Sequence, residues 1–414
     1  MVQIKPFKAI RPNNTLAKEV ASLPYDVLST IEAREIGEQN TKSFLHIDKS
    51  EIDLAKEQHP YEKVVYQKAA SNLKKFIENH WLIKDQTEQF YVYQLIMNKR
   101  VQTGLVVCTS VEDYLNERIK KHEFTRAEKE LDRINHIDAT DANTSPIFLT
   151  YRDNISVNTL IQNWIGNNIP IYDFTGFHDV THRIWTIENK SIIEELTHLF
   201  LKEVDALYIA DGHHRTESAV KVALKRRKQF PDAAPETEFN FFLSVLFPEE
   251  QLAIMDYNRV VNVPIAFDYF EKLTEAFEVT KKGAIPFQPT EPKTMGMYLD
   301  KEWYELKARP NVQSDDPVKG LDVSILQDQI LTPIFDIKDI RTDNCIDFIG
   351  GIRGMQELVE KVDSGEFNVA FAMYPTTMED LLNVADSGEV MPPKSTWFEP
   401  KLLSGLFIHD LESN

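Results

Sequence analysis

At 414 residues the chain is too long for one ordinary hydrophobic core, so two or three domains are expected. Its 42% hydrophobic content, with 24 Phe and 14 Tyr, is enough to fill them. With 46 Lys plus Arg against 65 Asp plus Glu, the net charge of −19 repels nucleic acid while leaving room for a small anion in a local basic pocket.

The predicted elements run in chain order as follows. Leu23-Pro24-Tyr25-Asp26 reads as a turn, with Asp26 a candidate for a cleft. Ser29 to Glu32 is a capping box that opens a helix to about Gln39. Phe44 to Ile47 reads as a strand, and Tyr61 to His80 as a long amphipathic helix. Phe90 to Met97 and Thr103 to Thr109 are β-rich and predict a hairpin around Asn98-Lys99-Arg100. Val111 to Arg133 is charged and helical in pattern. Within it, Glu123 flanked by Lys121 and His122 would be a general base if it faced a pocket, although the residues alone favour a solvated helix start.

Ser145 to Tyr151 is a strand, and Trp185 to Ile187, Ile193 to Leu201 and Phe241 to Phe247 continue an alternation of strands and helices. The apolar run from Ala206 breaks into Asp211-Gly212-His213-His214-Arg215, and Thr216 to Lys228 reads as a helix with Ala219, Val220, Ala223 and Leu224 on one face. Gly212 permits the sharp turn between them. The result is an anion site at a helix N-terminus or, equally well from these residues alone, an ordinary connection with Asp211 as N-cap. Arg259 could reach a phosphate or carboxylate, but an internal ion pair is the expectation. A Pro- and Lys-rich stretch at about 281–293 suggests a linker or long loop. Helices are expected at Val323 to Ile330 and Gly354 to Val362, a strand at Asn368 to Met373, and a second capping box at Thr376 to Glu379. Met391-Pro392-Pro393-Lys394-Ser395-Thr396 is a proline-stiffened loop that either presents cationic and hydroxyl donors to a phosphate or serves as a stiff connector.

Other chemistries lack their signatures. Glycine is scarce, 14 residues in all. There is no GxxxxGK[ST], and Gly350-Gly351-Ile352-Arg353-Gly354 lacks the GxGxxG spacing. HExxH and GxSxG are also missing. Cys108 and Cys345 belong to no metal-type cluster and are expected to be core thiols in a reducing compartment. The N-terminal MVQIKPFKAIRPNN has no apolar signal-peptide region and no apolar stretch is long enough to span a bilayer, so a cytoplasmic location without membrane contact is expected.

Separated landmarks carry a resemblance over essentially the whole chain: LPYDV at 23–27, HEFT at 122–125, DANTSPIFLTY at 141–151, IADGHHRTESA at 209–219, YNRVV at 257–261 and MPPKSTWFEPKLLSGL at 391–406. On these the chain is identified as a member of the bacterial domain-of-unknown-function family 1015. Three of them also resemble motifs of the free L-serine kinases, which are built on the ParB/sulfiredoxin-like fold. Those enzymes carry a PHE-type motif with a catalytic glutamate, a VDGHHR turn and a late PKTT-type segment. The counterparts here are Lys121-His122-Glu123, Ala210 to Arg215, and Pro393 to Thr396, with Lys121 replacing the family proline.

The resemblance implies an α+β protein: a ParB/sulfiredoxin-like nucleotide-binding core at 111–265, an N-terminal α/β unit at 1–110 and a C-terminal α/β domain at 266–414. It implies a phosphotransferase that uses Mg²⁺ and ATP or ADP to phosphorylate L-serine or a related hydroxy compound, or that runs in reverse. Glu123, Asp211 and His213 would be catalytic, with Glu123 taking the hydroxyl proton and Asp211 helping to hold Mg²⁺. Gly212, His214, Arg215 and Lys394 would bind nucleotide phosphates, and His122, Ser395, Thr396 and Lys401 the substrate. Nucleotide and a small amino acid are the expected partners, with a homodimer left open. A nucleotide-hydrolysing regulatory protein and a phosphoserine phosphatase-like phosphoesterase are the alternatives. Sulfiredoxin chemistry lacks its reactive cysteine, and ParB-like DNA binding lacks its basic domain.

Overall fold

The computed structural model describes residues 1–412, which pack as two compact units. The first comprises Met1–Lys120, Thr125–Leu252 and the segment from Pro400 onward; the second comprises Lys121–Phe124 and Ala253–Glu399. The sequence predicts three consecutive units at 1–110, 111–265 and 266–414, and the observed units cut across those limits. Strand pairing explains the difference, because a sheet joins backbones side by side whatever their separation along the chain.

The first unit is built on a nine-stranded mixed sheet. From one edge its strands are Ile119–Lys120, Leu207–Asp211, Ile147–Tyr151, Phe241–Pro248, Arg100–Ser110, Phe90–Met97, Thr181–Ile187 and Tyr172–Thr175, with Ile4–Lys5 added beside Arg100–Ser110. The hairpin forms as expected, with Asn98 and Lys99 both at positive φ to match the strand twist. Phe90, Val92, Leu105, Val107, Leu149 and Leu246 are buried together with Leu196, Phe200 and Val220 from the helices Lys190–Glu203 and His213–Gln229. Phe241–Pro248 is buried at every position, as a sheet covered on both faces requires.

The capping box at Ser29 and Glu32 starts the helix Thr30–Gln39, and Lys63–Glu78 is the long amphipathic helix. Phe44 to Ile47 is not a strand: Leu45–Asp48 is helical. Phe44 and Ile47, three apart, pack with Val20, Leu73 and Phe76, whereas Leu45 packs with Ala33 and Ile52. A short apolar run does not by itself distinguish these states. The charged stretch 111–133 is likewise broken, into the helix Val111–Leu115, the strand Ile119–Lys120 and the helix Ala127–Thr140. Glu117 at φ 57° and Arg118 N–H on the Asp113 carbonyl end the first of these.

The second unit holds a six-stranded antiparallel sheet in the order Phe277–Gly283, Glu302–Ala308, Thr294–Leu299, Val369–Ala372, Tyr257–Val261, Ile346–Gly350. Val260, Tyr298, Trp303 and Ala370 bury one face with Leu358 of the helix Met355–Asp363. The predicted linker at 281–293 is partly sheet, since Phe277–Gly283 pairs with Glu302–Ala308. The second capping box is formed by Thr377 and Asp380, one residue later than expected. Cys108 is buried in the first sheet, but Cys345 is exposed and so is not a core thiol. Among the described residues no helix is long and apolar enough to cross a membrane.

Candidate functional site

In the first unit, Ile119–Lys120 and Leu207–Asp211 are adjacent parallel strands, with Ile119 opposite Leu207 and Lys120 opposite Tyr208. Both strands therefore end at the same end of the sheet, and the second leads into the turn at 212–215. The carboxyl ends of neighbouring parallel strands are where open α/β sheets place ligands. A register shift between Ile209 and Asp211 against Ile147–Tyr151 re-aims the last strand residue.

Gly212, not Asp211, is the N-cap of the helix His213–Gln229, with φ 97°, and no side chain caps this N-terminus. Other helices are closed by Ser29, Ser110, Asn154, Asn189 and Thr377. An uncapped first turn of a 17-residue helix presents N–H groups and the positive end of its dipole to an anion.

Asp211 and Arg215 stand at this turn. Lys401 Nζ lies 3.0 Å from Asp211 Oδ2, and Arg215 Nη2 lies 3.9 Å from Oδ1. Burial works to raise the Asp211 carboxyl, but the charges of Lys401, Arg215 and His213 outweigh it and hold the group well below its usual range. Arg215 is only 8% exposed and donates from Nη1 to the Pro146 carbonyl at 2.5 Å. His214 Nε2 accepts the backbone N–H of Arg126 at 3.0 Å, so that nitrogen is unprotonated. Burial pushes the His214 imidazole further toward neutrality.

Tyr25 and Asp26 join the same neighbourhood. The Arg133 guanidinium stacks 4.0 Å from the centre of the Tyr25 ring and pairs with Asp132 at 2.8 Å. Tyr25, Arg133, His136, Ser145 and Arg215 line a cavity of about 30 Å³, room for water between buried polar groups. Asp48 accepts from Thr144 and Ser145 at 2.9 and 2.7 Å, and the Ser145 hydroxyl meets that of Ser404. The LPYDV motif was the only signal of Tyr25 and Asp26, and it did not specify their neighbours.

In the second unit, His122 is buried and its Nε2 lies 3.3 Å from Thr396 Oγ1, while its carbonyl accepts the Met391 N–H at 2.7 Å. The HE motif is thus held against the PPKST loop. Glu123 is partly exposed and lies before, not in, the helix Ala127–Thr140. Ser395 Oγ donates to the Pro392 carbonyl at 2.6 Å, and Thr376 Oγ1 donates to the Ser395 carbonyl at 2.8 Å. Lys394 sits at φ 61° with its side chain exposed and its Nζ 5.6 Å from the centre of the Tyr257 ring.

Arg259 is buried, and among the described residues it has no carboxylate in the expected ion pair. It donates to the carbonyls of Tyr257 and, at 3.1 Å, of Lys394. Burial pushes its guanidinium down to about 10.

The predicted site residues thus fall into two groups. Asp211, Gly212, His213, His214, Arg215 and Lys401 belong to the first unit, and His122, Glu123, Lys394, Ser395 and Thr396 to the second. Lys401, expected at the substrate, is ion-paired with Asp211. For Mg²⁺, Asp211 offers one carboxylate, and the described residues contain no group of three or more His, Cys, Asp or Glu side chains able to hold a metal. That donor set fits Mg²⁺ only where phosphate oxygens and waters complete the octahedron, the usual arrangement for this ion.

No curated protein sequence matches the chain. Similar solved structures include a free serine kinase in complex with AMP, 13% identical over 73% of this chain and 91% of that one, with a TM-score of 0.37. SbnI with C-terminal truncation from Staphylococcus aureus is 13% identical over 75% and 90%, with a TM-score of 0.39. A conserved hypothetical protein from Pyrococcus furiosus is 13% identical over 75% and 96%, with a TM-score of 0.35. The model of the protein family of unknown function DUF1015 matches residues 4–324, and the chain belongs to that family.

Proposed function

We propose that the protein is a small-molecule phosphotransferase, a free L-serine kinase that moves a phosphoryl group between a nucleotide and the hydroxyl of L-serine. The observation that carries this reading is the uncapped N-terminus of the helix His213–Gln229, entered through Gly212 at φ 97°. Its N–H groups, with His213 and His214, would take the nucleotide phosphates. Asp211 would contribute a carboxylate to Mg²⁺ that arrives with those phosphates and neutralises their charge.

Glu123 would accept the serine hydroxyl proton as that oxygen bonds to phosphorus and the bond to the leaving nucleotide oxygen breaks. Lys394, Ser395 and Thr396 would hold the substrate carboxylate or the product phosphate.

The test is phosphorus NMR on the purified chain with Mg²⁺, L-serine and either ATP or ADP, and in reverse from phosphoserine. A serine-dependent phosphomonoester signal that disappears in Glu123→Gln, with nucleotide still bound, is the expected result. Phosphate release that needs no amino acid would replace this reading with a nucleotide hydrolase. Phosphoserine hydrolysis without nucleotide would replace it with a phosphoesterase.

A further inference from the structure

The strand Tyr257–Val261 carries an arginine where a core residue belongs. Val260 packs in the core with Tyr298, Trp303 and Leu358, so alternation along the strand puts Tyr257 and Arg259 on the opposite face. Arg259 is 1% exposed, yet among the described residues no carboxylate pairs with it. Its partners are the Tyr257 and Lys394 carbonyls and the Phe348 ring, whose centre lies 5.5 Å away. Carbonyl dipoles satisfy its N–H groups but do not neutralise its charge. A buried cation without a counter-charge is strongly unfavourable, and an anion bound close by relieves it.

The neighbouring loop is suited to supply that relief. The Lys394 backbone is held from beneath by Arg259, while its side chain is exposed above the Tyr257 ring. Thr376 and Ser395 pin the loop from within, and Thr396 faces the buried His122. Positive charge thus lies below and beside a segment that is held rigid from within.

We propose that the PPKST loop binds an oxyanion whose counter-charge is the buried Arg259. Arg259 is then a positioning residue: it holds the Lys394 carbonyl and supplies long-range charge without itself touching the anion. Identification of this anion as the carboxylate or phosphoryl group of the kinase substrate rests on the phosphotransferase reading; the binding does not.

The test is a titration of the full chain labelled with 5-fluorotryptophan, followed by fluorine NMR. Trp397 adjoins the loop, with its ring centre 5.0 Å from that of Tyr257, and its resonance is assigned with Trp397→Phe. Inorganic phosphate and acetate are titrated separately, which separates phosphoryl from carboxylate recognition, and no nucleotide is present.

The wild-type Trp397 resonance is expected to move saturably with at least one of them. In Arg259→Met the midpoint is expected to rise at least about tenfold, with Arg259→Lys intermediate. The resonances of the other tryptophans report whether each variant folds. If Arg259→Met perturbs them, Lys394→Met, whose side chain is exposed, decides by the same tenfold criterion. A Trp397 resonance that ignores both anions, or an unchanged midpoint in the deciding variant, overturns the proposal. Loss of serine phosphorylation with the titration intact would instead overturn only the kinase reading.

Discussion

Lys401 Nζ is 3.0 Å from Asp211 Oδ2, so a residue near the end of the chain neutralises the carboxylate at the start of the Gly212 turn. This pair gives the turn a resident cation. A carboxylate held ionised beside an uncapped helix N-terminus would otherwise repel the phosphates assigned to that terminus.

Replacing Lys401 with Met should therefore raise the Asp211 carboxyl and weaken AMP binding by about tenfold, near ~1.4 kcal/mol. Calorimetric titration with AMP checks the affinity. The sign with pH also follows. Because the folded carboxyl is depressed, its stabilisation is present above the unfolded Asp value of about 4 and lost as pH falls below it. Urea midpoints of wild type and Lys401→Met should accordingly differ at pH 6 and converge in strong acid. A constant difference would mean that the Lys401 contribution is not ionic.

Gly212→Ala tests the backbone of the turn. At φ 97° an L-residue is strained by about 1–2 kcal/mol, and the new Cβ would stand 3.1 Å from Arg215 Nε. A lower Tm together with lost AMP binding is expected. Gly388→Ala is the control, since φ there is 75° with open space around the Cβ, and it should lower Tm while leaving AMP affinity unchanged. Equal AMP affinity in both variants would remove the turn from the proposed nucleotide site.

His46 should make the helical cluster of the first unit sensitive to pH. Its Nδ1 lies 2.7 Å from Asp53, and its Nε2 lies 3.2 and 3.1 Å from the Gly37 and Asn40 carbonyls. Acceptors at both ring nitrogens call for the imidazolium. Burial alone would lower its pKa, but the Asp53 bond and the two carbonyls outweigh burial and raise it. This stabilisation is fully present below the unfolded His value of about 6.5 and lost as pH rises through the raised folded value. Denaturation of wild type and His46→Gln should give a gap at pH 6 that closes toward pH 9; a gap that widens with pH would reverse the assignment.

Local chemistry was legible wherever neighbours in sequence are also neighbours in space. The Ser29 capping box, the hairpin turn at Asn98-Lys99 and the glycine at 212 each depend on a few consecutive residues. Leu45–Asp48 was not legible, because four apolar-rich residues suit a strand or a helical turn, and the two separate cores that Phe44 and Leu45 enter decided between them. Arg259 was missed for a related reason. Its sequence neighbours suggested an internal ion pair, whereas the pairing of Tyr257–Val261 with Ile346–Gly350 and Val369–Ala372 buries it, with backbone carbonyls as its partners.

By itself the sequence determined the membership in a family, the motifs and the type of each local turn, since these are properties of contiguous residues. Tertiary structure decided which motifs meet. His122 reaches Thr396 across 274 residues, and Lys401 reaches Asp211 across 190. Contacts of that span follow from strand order and chain crossings between units, which side-chain periodicity does not encode.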